Sequence, residues 1–179
     1  MTKSHIIVEY TILFRREYME HSTFNKISVA FFGHRHIENL NIVEEKLMPI
    51  LRNFIREHPY VEFYIGRNGE FDEYVASIIK RVQKEICADN SSLILVLSYK
   101  VADIDYYAKY YDEVIIPEEI FCQHPKGAII VRNRWMVDNS DIVIVNVERK
   151  TGGAYRSMIY ARKMGKSVWN MCDDFDNEA

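Results

Sequence analysis

The feature that most constrains the fold is an apolar, β-branched run at residues 141–147 (DIVIVNV). A continuous run of this kind is typical of a central strand that is buried on both faces of a parallel sheet. A Thr-Gly-Gly loop at residues 151–153 follows, and apolar residues then recur at helical spacing over residues 158–164. Residues 167–171 (SVWNM) predict the next strand. The segment therefore predicts a strand, a glycine turn, a helix and a second strand.

The same alternation runs through the rest of the chain. Further strands are predicted at residues 27–32 (ISVAFF), 61–65 (VEFYI), 92–98 (SLILVLS) and 113–116 (EVII). Helices are predicted at residues 39–57, where Pro49 should kink or shorten the helix, and at residues 71–86, 101–111 and 129–139. This pattern predicts an α/β fold with a single doubly wound, mostly parallel, Rossmann-like sheet and helices on both faces. Its adjacent inner strands should be residues 27–32, 61–65, 92–97 and 141–147.

One domain is predicted over residues 26–179, because no linker, repeat or low-complexity segment divides this part of the chain. Residues 1–25 are interpreted as an N-terminal extension whose role the sequence leaves open. The buried pattern starts at residue 27, so residues 1–18 should be dispensable for folding.

The composition is ordinary for a globular protein, with 48% apolar residues, 27% charged residues and a formal net charge of −3. This charge disfavours nucleic acid as a partner, and no apolar run approaches the roughly 20 residues of a membrane span. Three separated cysteines without a CxxC pattern predict a reducing cytoplasm and no metal site, with Cys122 and His124 in a loop at residues 117–127. Twelve Tyr and nine Phe are many for this length, and we interpret them as packing residues rather than a nucleobase-binding surface.

Glycine turns follow three of the predicted strands at their carboxyl ends, where open α/β sheets bind ligands. The first turn combines Gly33 with His34 and Arg35, the second combines Gly66 and Gly69 with Arg67, and the third is Thr151, Gly152 and Gly153. Glycine lets the backbone approach a phosphate closely, and the unpaired N–H groups at a helix start attract anions. These residues are therefore candidate ligand-binding residues.

Glu70 and Asp72 lie in the first turn of the second predicted helix. Acidic residues there complement the helix dipole, which is a purely structural explanation. A carboxylate at the end of a strand can also accept hydrogen bonds from ribose hydroxyls, or act as a nucleophile or general base. We favour the dipole or ribose role over the catalytic one.

Four segments at these positions carry a resemblance: FFGHRHI at 31–37, GRNGEFD at 66–72, RNRWMVDNSD at 132–141 and TGGAYRSMIYARKMGKSV at 151–168. Together they resemble the SLOG superfamily, the nucleotide-binding Rossmann-like group that includes the DprA/Smf and LOG proteins, and within it the YspA-like, DUF1273-type branch. The resemblance spans residues 27–171 and implies a cleft for a nucleotide or nucleotide-derived ligand at the strand ends. The matching motif positions are Gly33, Arg35, Gly66, Gly69, Asp72, Arg132, Asn133, Gly152 and Gly153.

The chain departs from the LOG phosphoribohydrolases, which carry the pattern PGGxGTxxE with a glutamate that helps to cleave the N-glycosidic bond. Its proline, third glycine, threonine and glutamate are replaced here by Thr151, Tyr155, Arg156 and Ile159. The resemblance therefore implies that binding is retained and that LOG-type hydrolysis is lost with its acid/base group. Tyr155 is a candidate for stacking on a base, and Arg156 is a candidate for contacting phosphate.

The leading hypothesis is a cytosolic module that binds or senses a nucleotide-like small molecule without a cofactor, a metal or a membrane. The alternative is an N-glycosidic nucleotide hydrolase or transferase that uses Glu70 or Asp72. A DNA-associated role like that of DprA is weaker, because the chain is mildly acidic overall. The sequence leaves open whether the ligand is turned over and whether the protein forms homo-oligomers.

Overall fold

The computed structural model describes residues 26–87, 89–102, 104–121 and 124–173. In this part of the chain one sheet contains six strands, which we number in chain order. They are β1 (Lys26–Gly33), β2 (Tyr60–Ile65), β3 (Ser91–Val96), β4 (Glu113–Ile115), β5 (Ile142–Asn146) and β6 (Ser167–Asn170). All neighbouring strands are parallel, and their order across the sheet is β4-β3-β2-β1-β5-β6. The predicted parallel sheet is confirmed, and the four inner strands are adjacent as expected.

The described α-helices are α1 (Leu40–Glu57), α2 (Glu70–Ile86), α3 (Ile104–Ala108), α4 (Pro125–Asp138) and α5 (Gly152–Lys163). Alternate residues of β1 enter two separate cores: Val29 and Phe31 pack in one, and Ala30 and Phe32 in the other. Helices α1 and α2 cover the first core, and α4 and α5 cover the second. The inner strands are apolar on both faces because both faces are covered. The doubly wound α/β architecture is therefore confirmed.

Two details differ from the sequence predictions, and one of the two effects expected of Pro49 is absent. Pro49 lies inside α1, which continues to Glu57 and is therefore not shortened. The predicted loop at residues 117–127 contains a short 3-10 helix, Glu118–Ile120, and the start of α4. Helix α4 begins before the predicted residue 129, since its proline fits the first turn of a helix, where no N–H is needed.

The apolar spacing at residues 158–164 overstated the buried face of α5. Met158 and Ala161 are buried, whereas Ile159 is 43% exposed and Met164 is 49% exposed. Ile159, which the resemblance places at the LOG glutamate position, is therefore on the solvent side of α5.

Predictions for residues 1–25 and for Cys122 fall outside the described residues. Within the described part of the chain, no group of His, Cys, Asp and Glu side chains is arranged to hold a metal ion. No described helix combines the length and apolar character that a membrane crossing requires.

The strand order changes direction at β1. From β1 the chain builds β2, β3 and β4 toward one edge, and then returns to place β5 on the other side of β1. The connections that leave β1 and β5 therefore diverge, and this divergence opens a crevice at the carboxyl ends of the two strands.

Candidate functional site

A cavity of about 270 Å³ lies at this crevice. Strands β1 and β5 are paired up to their carboxyl ends, where Gly33 is opposite Asn146. The lining comes from β1 and the loop after it, the loop after β2, and helices α2, α4 and α5. It consists of Phe31, Phe32, Gly33, His34, Arg35, Asn68, Gly69, Asp72, Ile129, Arg132, Asn133, Gly152, Gly153 and Ala154.

Arg132 lines the cavity from the middle of α4 and is only 5% exposed. Its guanidinium fills the space beside Gly66, because a Cβ added at Gly66 would collide with Nη1 of Arg132. Nη1 is 3.8 Å from Sδ of Met136, a weak acceptor, and Nε has no hydrogen-bond partner. Burial lowers the pKa of Arg132, while Asp72 and Tyr99 act in the opposite direction. A guanidinium remains charged in proteins, so Arg132 is a buried cation with an unpaired donor.

Asp72 lines the same cavity from the first turn of α2. Its Oδ2 accepts a hydrogen bond from the backbone N–H of Asn68 at 2.9 Å, which fixes the loop after β2. A Cβ at Gly66 would lie 2.6 Å from this same oxygen. Burial raises the pKa of Asp72, and the charge of Arg132 and the hydrogen bond from Asn68 oppose that rise. Gly66 thus makes room for an acidic and a basic side chain at once.

Asn133 connects α4 to the start of α5. Its Nδ2 donates to Oγ of Ser157 at 3.0 Å, and that hydroxyl donates to the backbone oxygen of Gly153 at 3.0 Å. Oδ1 of Asn133 is buried and has no hydrogen-bond partner. A buried acceptor in this condition costs free energy unless a ligand or water supplies a donor. The site therefore holds a buried acceptor as well as a buried donor that the protein leaves unpaired.

Helix α5 begins at the cavity with Gly152 and Gly153. Gly152 has a φ of +90°, a left-handed conformation that favours glycine. A Cβ added at either glycine would meet no atom within 4 Å, so the space around the helix start is open. The N-cap residue Thr151 makes no side-chain capping hydrogen bond, and the first turn contains no acidic residue. The first-turn N–H groups, which have no partner inside a helix, are thus accessible to an anion.

The loop after β1 is fixed by contacts of its own. The backbone N–H of Arg149 donates to Nε2 of His34 at 3.3 Å, which links the loops after β1 and β5. The Glu70 carboxylate accepts the backbone N–H of Ile37 at 3.2 Å and lies 3.3 Å from Nδ1 of His36. These two contacts, the first being the larger, lower the pKa of Glu70. Glu70 therefore holds the loop from outside the cavity.

Gly33 and Gly69 are both required by contacts within the protein. A Cβ at Gly33 would collide with the ring of Phe71, which is fully buried, and a Cβ at Gly69 would lie 2.8 Å from Cα of Arg35. Both contacts join the loop after β1 to the start of α2. These glycines line the cavity, but the packing of α2 already explains why a side chain is absent.

The predicted site residues divide into two groups. The cavity brings together Gly33, His34, Arg35, Gly69, Asp72, Arg132, Asn133, Gly152 and Gly153, and its lining excludes Gly66, Arg67, Glu70, Thr151, Tyr155 and Arg156. Tyr155 packs against the second core, Arg156 is exposed, and Arg67 lines a different cavity.

Sequence reasoning missed five lining residues, which are Phe31, Phe32, Asn68, Ile129 and Ala154. Asn68 lies inside the predicted glycine turn and Ala154 follows Gly153, so their positions were a usable signal. Ile129 carries no such signal, because only the packing of α4 brings it to the cavity.

No known family model matches this chain, and no curated protein matches it. Solved structures of DNA processing protein A (DprA) do match. The X-ray structure of DprA from Streptococcus pneumoniae is 16% identical, with a TM-score of 0.60, over 84% of this chain and 52% of that chain. DprA from Helicobacter pylori is 14% identical, with a TM-score of 0.57, over 84% of this chain and 67% of that chain. The present chain thus spans about half of the first protein and two thirds of the second.

The prediction that nucleic acid is disfavoured as a partner is wrong. It rested on the net charge of −3, whereas the H. pylori protein, which has this fold, is described by its unique single-stranded DNA binding mode. Net charge was a poor criterion because it does not say where the charges lie: Arg35, Arg132 and Asp72 line the cavity, whereas Glu70 does not. Local charge at the strand ends is the relevant quantity.

At these identities the matches show a shared fold, and the YspA-like branch of the SLOG superfamily stays a prediction. The fold that the SLOG resemblance implied is nonetheless present: this chain has the Rossmann-like α/β fold found in DprA.

Proposed function

We propose that the cavity between β1 and β5 binds a nucleotide or a nucleotide-derived ligand through its phosphate. The observation that carries this proposal is Arg132, a buried cation whose Nε has no partner, in a cavity that also contains the open start of α5. An unpaired buried donor is costly, and an anion that entered the cavity would pair it.

The charge of the lining supports an anionic ligand. Arg35 and Arg132 contribute two guanidinium groups, and Asp72 is the single carboxylate among the described lining residues. Burial raises the pKa of Asp72 above its ordinary value, while the charge of Arg132 and the hydrogen bond from Asn68 oppose that rise. Arginine is well suited to phosphate because its planar fork can donate two parallel hydrogen bonds.

The remainder of the lining suits a nucleotide better than a free inorganic ion. Phe31, Phe32, Ile129 and Ala154 supply apolar surface beside the polar groups. The unpaired Oδ1 of Asn133 would accept a hydrogen bond from a sugar hydroxyl or a base N–H. Mixed apolar walls with a few fixed polar groups are typical of small-molecule sites.

The test is a calorimetric titration of the protein with dTMP, UMP, AMP, GMP and inorganic phosphate. Arg132→Ala should weaken nucleotide binding about ten- to a hundredfold, which corresponds to roughly 1.5–3 kcal/mol for a charge-assisted contact. Arg132→Lys keeps a charge beside Asp72 but loses the planar fork, so it should bind weakly even where the alanine variant is unstable.

The matched control is Arg134→Ala. Arg134 lies on the same helix but is exposed, with its Cζ 5.4 Å from the ring centroid of Tyr160, outside the cavity. This variant should bind like the wild type. Equal affinities of the wild type and both Arg132 variants for every nucleotide would refute the proposed site.

A second candidate function, N-glycosidic hydrolysis or transfer, retains one supporting observation. Asp72 is a lining carboxylate whose pKa is raised by burial, which is a property of general acids. Glu70, the other candidate, is engaged with Ile37 and His36 outside the cavity. Chromatography of nucleotide incubated with the protein decides the case: base release that disappears in Asp72→Asn, while binding persists, would establish turnover.

A further inference from the structure

A second cavity, of about 590 Å³, is lined by Arg67 of the loop after β2, by Glu73 of α2, and by residues of α3 and the segment that follows it. Arg67 lines this cavity, whereas the next residues, Asn68 and Gly69, line the first cavity. The two cavities have no lining residue in common. The loop at residues 66–69 therefore separates two adjacent spaces and contributes to both.

Tyrosines of α3 and the segment after it dominate the second cavity, and core packing explains only some of them. Tyr107 and Tyr111 pack against the first core. Tyr106 is 66% exposed and Tyr110 is 46% exposed, yet both line the cavity. Each meets its partly buried neighbour at a steep angle, 86° for Tyr106 and Tyr107 and 73° for Tyr110 and Tyr111. The exposed rings are thus supported by inner rings that are not stacked on them face to face.

Arg67 packs against this cluster and against Tyr99. Its Cζ lies 5.0 Å from the ring centroid of Tyr107 and 5.5 Å from that of Tyr99. Nη1 donates to the Tyr107 hydroxyl, and Nη2 donates to the Tyr99 hydroxyl at 3.2 Å. Arg67 therefore holds two tyrosine rings beside the loop at residues 66–69.

The chemistry of the second cavity fits a base better than a second phosphate. Glu73 lies in the lining with Arg67 and Lys109, so its carboxylate offsets part of the positive charge. The guanidinium of Arg67 already makes cation–π contacts with the rings of Tyr99 and Tyr107. Tyrosine rings stack on any base, because every base has a π-face, and such stacking is the usual way in which proteins hold single-stranded nucleic acid.

We propose that this tyrosine pocket binds a second base, so that the full ligand is a short single-stranded oligonucleotide held by its phosphate in the first cavity. The inference rests on the proposed function of the first cavity. One nucleotide is not expected to occupy both spaces, because the loop at residues 66–69 stands between them. A dinucleotide has a second base that is able to pass beyond the loop.

The test compares the affinities of dTMP and the dinucleotide pTpT, and of UMP and pUpU, by calorimetry. The dinucleotide should bind about five- to 150-fold more tightly than the mononucleotide, the factor that corresponds to roughly 1–3 kcal/mol for one stacked base. Tyr106→Ala and Tyr110→Ala should each reduce this advantage, and Tyr106→Phe should retain it because the ring remains. The two sugar types separate DNA from RNA as the source of the ligand.

Tyr160→Ala is the matched control. Tyr160 also lies beside an arginine, Arg134, but it is outside both cavities, so its removal should leave the dinucleotide advantage unchanged. If pTpT and pUpU bind no more tightly than their mononucleotides while mononucleotide binding still depends on Arg132, this inference fails and the proposed function stands. If no mononucleotide or dinucleotide binds, both fail together.

Discussion

Two helices begin at the same edge of the sheet, and their first turns are filled in opposite ways. Helix α2 follows Gly69 and carries Glu70, Asp72 and Glu73 in its first turn. Helix α5 begins with Gly152 and Gly153, and its first turn contains no acidic residue. The start of α2 is closed by its own carboxylates and by the loop after β1, while the start of α5 faces open space. One helix start is enclosed by the protein, and the other is open to the proposed ligand.

This difference also distinguishes two reasons for which a glycine can occur after a strand. Gly33 and Gly69 are surrounded by protein atoms, so their lack of a side chain is a packing requirement. Gly152 and Gly153 have no atom within 4 Å of an added Cβ, so packing explains neither, and the left-handed φ of +90° accounts for glycine only at position 152. A glycine next to empty space at a helix start is the stronger indication of a binding site.

The largest expected effect concerns stability. Gly33→Ala should destabilise the protein by roughly 1–3 kcal/mol, because the methyl group would overlap the fully buried ring of Phe71. Gly153→Ala should instead be neutral or stabilise by up to about 1 kcal/mol, since the added methyl meets no atom. Urea unfolding of both variants measures the contrast. Similar destabilisation by the two substitutions would show that the helix starts are not packed differently.

The next effect concerns ligand affinity. Gly153→Asp places an acidic residue in the first turn of α5, as in α2, and should weaken dTMP binding about tenfold or more through repulsion of the phosphate. The same variant should stabilise the ligand-free protein by roughly 0.3–1 kcal/mol through the helix dipole. Gly153→Asn, of nearly equal size but neutral, is the control. If both variants lose affinity equally, bulk rather than charge is responsible.

The smallest expected effect is on the pH dependence of stability. It distinguishes Glu70 from Asp72, which lie in the same turn of α2. Burial raises the pKa of Asp72 above its ordinary value of 3.8, so its ionisation opposes folding as the pH rises through that range. The pKa of Glu70 is lowered below 4.5 by Ile37 and His36, so its contribution to stability is present above 4.5 and is lost as the pH falls further.

Relative to the wild type, Asp72→Asn should therefore gain stability as the pH rises from about 3 to 7, while Glu70→Gln should lose it. Unfolding curves of the three proteins across this range give the sign of each difference. Parallel pH profiles for the two variants would mean that both acids have the same environment.

The sequence was a good guide to what depends on local pattern. Apolar runs such as residues 141–147 predicted the inner strands, because a strand covered on both faces must be apolar on both. The glycine turns predicted the edge of the sheet where the cavity lies, since parallel strands end together. Arg132 and Asn133 entered through the SLOG resemblance, as no local pattern marks a buried arginine in the middle of a helix.

What the sequence could not supply depends on contacts between distant segments. Glu70 and Asp72 are two residues apart, but one turns outward to the loop after β1 and the other lies beside Arg132. Ile129 reaches the cavity only because α4 packs where it does. From composition alone we interpreted the tyrosines as packing residues. The exposure of Tyr106 and Tyr110 near Arg67 is what suggested the proposed stacking role. The net charge was a poor guide to the partner for the same reason, because a charge summed over the chain does not say where the charged side chains lie.

The contact between Gly66 and Arg132 makes substitutions at two distant positions of the chain depend on each other. A methyl group at position 66 would displace the end of the Arg132 side chain, because the Cβ would occupy the place of Nη1, and it would also lie 2.6 Å from Oδ2 of Asp72. Shortening residue 132 first would remove the closer of these two overlaps, so the effect of a substitution at position 66 depends on the residue at position 132. Substitution at either position is therefore conditional on the other, and this epistasis follows from steric overlap rather than from any shared chemistry.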